Sequence, residues 1–163
     1  MERGMIQVYT GQGHGKSAAA LGRAVQTACE GKNVAIINFL KRTREDEFFK
    51  RLEPEIKIFR FEKSEEEFDL LSEERQQEEI SNIKNGLNFA KKVLSTGECD
   101  LVILDEVLGL VDNGIITTED LKKIVETKDE EVNLIMTGIS LQDGICEIAD
   151  EVSQIEALNY RVY

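Results

Sequence analysis

The stretch Thr10-Gly11-Gln12-Gly13-His14-Gly15-Lys16-Ser17 constrains this chain more than any other part of it. It stands between a short β-prone run, residues 5–9, and a segment that turns helical. Glycines at alternate positions let the backbone take positive φ and aim successive N–H groups into one concavity. A helix opening near Ser17 adds the N–H groups of its first turn, Ala18 included, and the positive end of its dipole. Lys16 can reach terminal phosphate oxygens, and the Ser17 hydroxyl suits Mg²⁺. Together these are the requirements for holding a triphosphate. The strict GxxxxGK[ST] signature has glycine where Thr10 stands, and what is present is GxGxGKS beginning at Gly11. A Gly-rich turn opening an ordinary helix is the bland alternative, and the GKS ending between strand and helix outweighs it. His14 reads as a loop residue near phosphate with no assigned role.

A nucleotide site of this kind needs an acid at the end of a neighbouring apolar strand. Leu101-Val102-Ile103-Leu104-Asp105-Glu106 has that form. In open parallel sheets ligands bind at the carboxyl ends of strands, where both this pair and the loop fall. Asp105 and Glu106 are therefore assigned jointly, with Ser17, to Mg²⁺ and to organising water. Lys16 and Glu106 are the residues expected to carry the chemistry. These residues alone leave several activities open. A small ATPase or kinase would cleave at the γ-phosphate, with Asp105 or Glu106 orienting the attacking group. A non-catalytic nucleotide-binding module would use the same loop.

The remaining sequence alternates strand and helix. Leu21, Ala24, Val25 and Ala28 recur at helical spacing and predict a helix with that stripe inward, stopped by Gly31. Residues 34–40 are apolar enough to be covered on both faces, and residues 56–61 alternate as a third strand. Ile80, Ile83, Leu87, Ala90 and Leu94 define a long helix ending at Gly97. Thr117, with Asp120 three residues on, predicts an imperfect capping box for a helix through Leu121, Ile124 and Val125. Residues 132–137, 141–149 and 152–155 then read as strand, helix and short strand. Strands separated by helices imply an α/β fold, a mostly parallel sheet with right-handed crossovers and helices on both faces. No repeat or linker interrupts it, so residues 1–163 read as one nucleotide-binding domain.

Residues 62–79 are the outlier, with nine acids against Lys63 and Arg75. They read as a mobile loop running into the long helix, either a lid over a second substrate or a solvated face. Across the chain, 20 basic residues against 32 acidic ones leave a net charge of −12. Such a surface repels phosphate backbones and anionic lipid, so neither nucleic acid nor membrane is an expected partner. The apolar run 34–40 falls far short of the roughly 20 residues needed to cross a bilayer. Cys29, Cys99 and Cys146 form no CxxC and read as reduced thiols of a cytoplasmic protein. Residues 1–4 run straight into strand-like sequence and do not read as a secretory signal.

The variant loop, continued by Ala18-Ala19-Ala20-Leu21-Gly22, resembles that of the ATP:corrinoid adenosyltransferases. The likeness runs on through Gly31-Lys32-Asn33-Val34, Asn38-Phe39-Leu40-Lys41, residues 101–108, Met136-Thr137-Gly138 and Ile148-Ala149-Asp150-Glu151-Val152. It implies the three-layer, RecA-like fold of the P-loop NTPases. It also implies ATP as co-substrate with Mg²⁺, a reduced corrinoid as second substrate, and a homodimer as a possible assembly. Members of this family move the 5′-deoxyadenosyl group of ATP to reduced cobalt and release the triphosphate whole. Phe59, Phe61 and Phe68 read as core or loop anchors, with contact to the corrinoid as the other reading.

Overall fold

The computed structural model describes residues 2–13, 15–40, 47–159 and 161–162. In chain order the elements are β1 (Ile6–Thr10), α1 (Lys16–Cys29), β2 (Val34–Asn38), α2 (Glu47–Lys50) and β3 (Ile56–Arg60). After a single 3₁₀ turn (Phe68–Leu70) come α3 (Glu73–Thr96), β4 (Leu101–Asp105), α4 (Val107–Asp112), α5 (Thr118–Glu126), β5 (Asn133–Gly138), α6 (Asp143–Ile148) and β6 (Glu151–Gln154). The strands form one six-stranded sheet in the order β3-β2-β4-β5-β1-β6. Every pairing in it is parallel.

Alternate side chains along each strand go to opposite faces, which divides the core in two. On one face Tyr9, Ile36, Ile103 and Ile135 pack under α1 through Ala20 and Ala24. On the other, Val8, Ile37, Val102, Leu104 and Met136 lie against α3, α4, α5 and α6. The structure is thus the three-layer α/β arrangement expected of the sequence. It differs in the buried stripe of α1 at one position: Val25 is 43% exposed, while Ala20 and Ala24 are buried and Leu21 and Ala28 pack partly buried beside them. With no side chain beyond Cβ at Ala20 and Ala24, the helix lies close over the sheet, and the larger Val25 is turned outward.

The acidic segment departs from expectation in its burial. Helix α3 begins at Glu73, capped by the Ser72 side chain accepting from the Arg75 N–H, so the segment runs into the long helix as expected. Glu62 and Glu79 within it are buried rather than solvated. Helices α2 and α4 have no counterpart in the sequence reading, and the expected strand 34–40 ends at Asn38. The Thr117–Asp120 box is complete and reciprocal. Phe59 and Phe61 pack at a tilt against Phe89 of α3 at 4.7 and 5.4 Å between ring centres, the core role read for them. His14 and Lys41 lie outside the described residues.

Candidate nucleotide-binding site

The sheet register brings both halves of the site to one edge. Thr10 pairs with Gly138, Leu104 with Met136, and Asn38 with Asp105, so the last residues of four strands stand side by side. The loop after β1 therefore opens one strand away from the acids after β4, with β5 between them.

The loop owes its path to glycine at two points. Gly15 takes φ 114° and ψ −21° immediately before α1, a left-handed conformation that L side chains rarely adopt. Gly11 has φ 149°, and a Cβ there would lie 2.2 Å from the Ile155 carbonyl oxygen. Ile155 follows β6, and its N–H donates to the Thr10 carbonyl at 2.8 Å. Its side chain also stands 3.4 Å from where a Gly15 Cβ would be. The segment after β6 is thus the backing of the loop, a contact the sequence reading did not anticipate. Helix α1 closes its first turn with Ala19 N–H donating to the Gly15 carbonyl at 2.8 Å. By helix geometry the N–H groups of that turn, from Lys16 to Ala18, point out of its amino end.

Four expected residues come together. The Lys16 ammonium meets a Glu106 carboxylate oxygen at 2.8 Å, with both side chains largely buried. The Ser17 hydroxyl donates to Asp105 Oδ1 at 2.9 Å. Asp105 is buried, and Glu106 holds the left-handed conformation φ 61°, ψ 18° at the amino end of α4. Thr137, fully buried on β5, binds both acids: its hydroxyl donates to Asp105 Oδ1 at 2.6 Å and accepts the Glu106 N–H at 2.8 Å. Its signal in the sequence is a lone hydroxyl ending the apolar run Leu134-Ile135-Met136.

A second buried acid braces the neighbouring segment. Phe39 N–H donates to the Asp105 carbonyl at 2.9 Å, which ties the exit of β2 to the site. Leu40 then turns left-handed at φ 58°, and its N–H donates to Glu62 at 2.8 Å. The Leu40 side chain occupies the space that a Cβ on Gly109 of α4 would need. Burial raises the Glu62 carboxyl above its ordinary range; the Leu40 N–H and the Arg60 guanidinium oppose that, and Glu79 adds to it.

The donor chemistry suits Mg²⁺. Ser17, Asp105 and Glu106 offer hard oxygens, and Mg²⁺ is ordinarily held by one or two carboxylates with substrate phosphates and water. Among the described residues no group of three or more His, Cys, Asp or Glu could hold a metal by itself.

The profile of the family described as ATP:corrinoid adenosyltransferase BtuR/CobO/CobP matches residues 2–162. The chain belongs to this family. It is 28% identical to the corrinoid adenosyltransferase of Escherichia coli (strain K12), over 98% of this chain and 80% of that one. To the corrinoid adenosyltransferase of Pseudomonas aeruginosa (strain PAO1) it is 26% identical, over 98% and 78% of the two chains. Among solved structures it is similar to the KaiC-like protein PH0186 of Pyrococcus horikoshii OT3, with a TM-score of 0.62 and 19% identity over 94% of this chain and 72% of that one. That last likeness concerns the fold. The family membership agrees with the resemblance carried by the loop and by residues 101–108, so the chain is an adenosyltransferase by family. No helix among the described residues is long and apolar enough to cross a membrane.

Proposed function

We propose that this adenosyltransferase moves the 5′-deoxyadenosyl group of ATP to the Co(I) ion of a reduced corrinoid, with release of triphosphate, in the cytoplasmic synthesis or salvage of cobalamin. The observation that supports it most is the 2.8 Å Lys16–Glu106 contact beside the Ser17–Asp105 hydrogen bond, at the mouth of a glycine loop, in a chain of this family. In the reaction cobalt supplies the electron pair for a new Co–C5′ bond while the C5′–O bond breaks. Cobalt is thereby oxidised from Co(I) to Co(III), and the electron pair of the broken bond leaves on the triphosphate oxygen. The protein needs no general base, because the nucleophile carries no proton.

The residues of the site then have defined work. The N–H groups from Lys16 to Ala18 and the Lys16 ammonium would face a leaving group whose charge grows as the C5′–O bond lengthens, and preorganised donors of this kind stabilise such charge. When bound, Mg²⁺ supplies further neutralisation of the triphosphate. Ser17, Asp105 and Glu106 are the residues that would hold the metal, beside the Lys16 ammonium. The remaining task is to place C5′ over cobalt and to keep water away.

The test is product analysis. Protein with MgATP and chemically reduced cob(I)alamin should yield an adenosylated corrinoid and inorganic triphosphate in equal amounts. ADP and phosphate instead would overturn adenosyl transfer and favour the γ-phosphate chemistry of an ATPase or kinase. Lys16→Ala should lower the rate by about a hundredfold or more, the scale seen when one preorganised donor is removed.

A further inference from the structure

We infer that Thr137 is a positioning residue whose single hydroxyl sets both acids of the site at once, and that the Mg²⁺ dependence of nucleotide binding passes through it. The inference rests on the nucleotide reading above for its metal half only. A threonine hydroxyl has one hydrogen to give and two lone pairs to offer. Here the hydrogen goes to Asp105 Oδ1 at 2.6 Å, and a lone pair takes the Glu106 N–H at 2.8 Å. The same Asp105 oxygen receives the Ser17 hydroxyl at 2.9 Å, so it sits between donors from β5 and from the start of α1. Thr137 is fully buried, which keeps water from replacing either bond.

The second bond matters for conformation. Glu106 is left-handed at φ 61°, a state in which a non-glycine residue persists only when its surroundings hold it. The Thr137–Glu106 bond is a restraint of that kind at the strand-to-helix turn. It directs the chain so that the Glu106 side chain meets Lys16 at 2.8 Å. Thr137 also lies on the strand between the loop and the acids, paired with Tyr9 of β1. It touches neither phosphate nor metal in this scheme. It acts through Asp105 and Glu106, as partners behind metal-holding carboxylates do, where their loss commonly costs tenfold to a hundredfold in metal affinity.

The test compares wild type with Thr137→Val, which keeps the shape and removes the hydroxyl, and with Thr137→Ser, which restores the hydroxyl alone. ATP binding is followed by calorimetry across a Mg²⁺ titration, and amide hydrogen exchange of Glu106 is followed with neither ATP nor metal present. Thr137→Val should need about tenfold to a hundredfold more Mg²⁺ than wild type to reach its full ATP binding. Its Glu106 amide should exchange faster, and Thr137→Ser should return both properties to wild type. An unchanged Mg²⁺ dependence in folded Thr137→Val, or a Thr137→Ser that behaves like it, overturns the inference. If the valine variant does not fold, Thr137→Ala carries the same expectations. Should wild type bind no ATP under any condition, the nucleotide reading fails, while the Glu106 exchange comparison still decides whether Thr137 holds that turn.

Discussion

Glu62 shows what a single buried acid contributes at the residue scale. Its carboxylate accepts the Leu40 N–H, and burial raises its pKa above the ordinary 4.5. A raised native pKa means that the folded state holds the proton more tightly than the unfolded one. The group's stabilising contribution is then full below pH 4.5 and is lost as pH climbs through the raised native value. Glu62→Gln keeps an oxygen for Leu40 and stays neutral at every pH. Relative to wild type it should therefore gain stability as pH rises out of the acid range. Thermal melts of both proteins at several pH values from about 4 to 8 check this, and a pH-independent difference between them counts against it. None of this was legible beforehand. Glu62 is one acid among nine in residues 62–79, and only the meeting of Leu40 with the end of β3 distinguishes it. That Lys16, Ser17, Asp105 and Glu106 come together was legible, because the loop and the acids each follow an apolar strand along the chain.

At the scale of elements, α4 decides how closely the site is built. A Cβ on Gly138 would stand 2.4 Å from Leu108 Cβ, so the end of β5 and α4 touch backbone to side chain. Gly138→Ala must push α4 outward, and overpacking of this sort costs about 1–3 kcal/mol. For a chain of this size each kcal/mol lowers the melting temperature by roughly 2–4 °C. Because Glu106 caps the amino end of α4, the same substitution should also weaken ATP binding, measured by calorimetry beside the melt. A variant as stable as wild type with full affinity would show that α4 has room to move. Helix α4 escaped the sequence reading because Val107-Leu108-Gly109-Leu110-Val111 is apolar throughout and too short to display a period. The long helix α3 did display one, in Ile83, Leu87, Ala90 and Leu94, all buried. Its first residue within 62–79 was not legible, because the polar, acidic residues from Glu73 onward carry no apolar stripe. In α1 the period was right and the depth wrong: alanines, not Val25, form the closest contact.

For the whole molecule, one parallel sheet carries both cores, and the proposed ligand would bridge loop and acids across β5. A chain that folds as one unit should melt in one cooperative transition. ATP with Mg²⁺ at about a hundred times its dissociation constant should raise that stability by about 2.7 kcal/mol, or roughly 5–10 °C. Two separate transitions, with only one moved by nucleotide, would contradict the single-domain expectation. The Lys16–Glu106 pair has a consequence at this scale too. On a chain of net charge −12, that ammonium is already matched by a carboxylate 2.8 Å away. A bare polyanion would have to displace a resident anion inside a repelling field. Under the proposed function, one escorted by its own counter-cation would offer Glu106 a new companion in the same move, so charge balance would select the ligand before shape does.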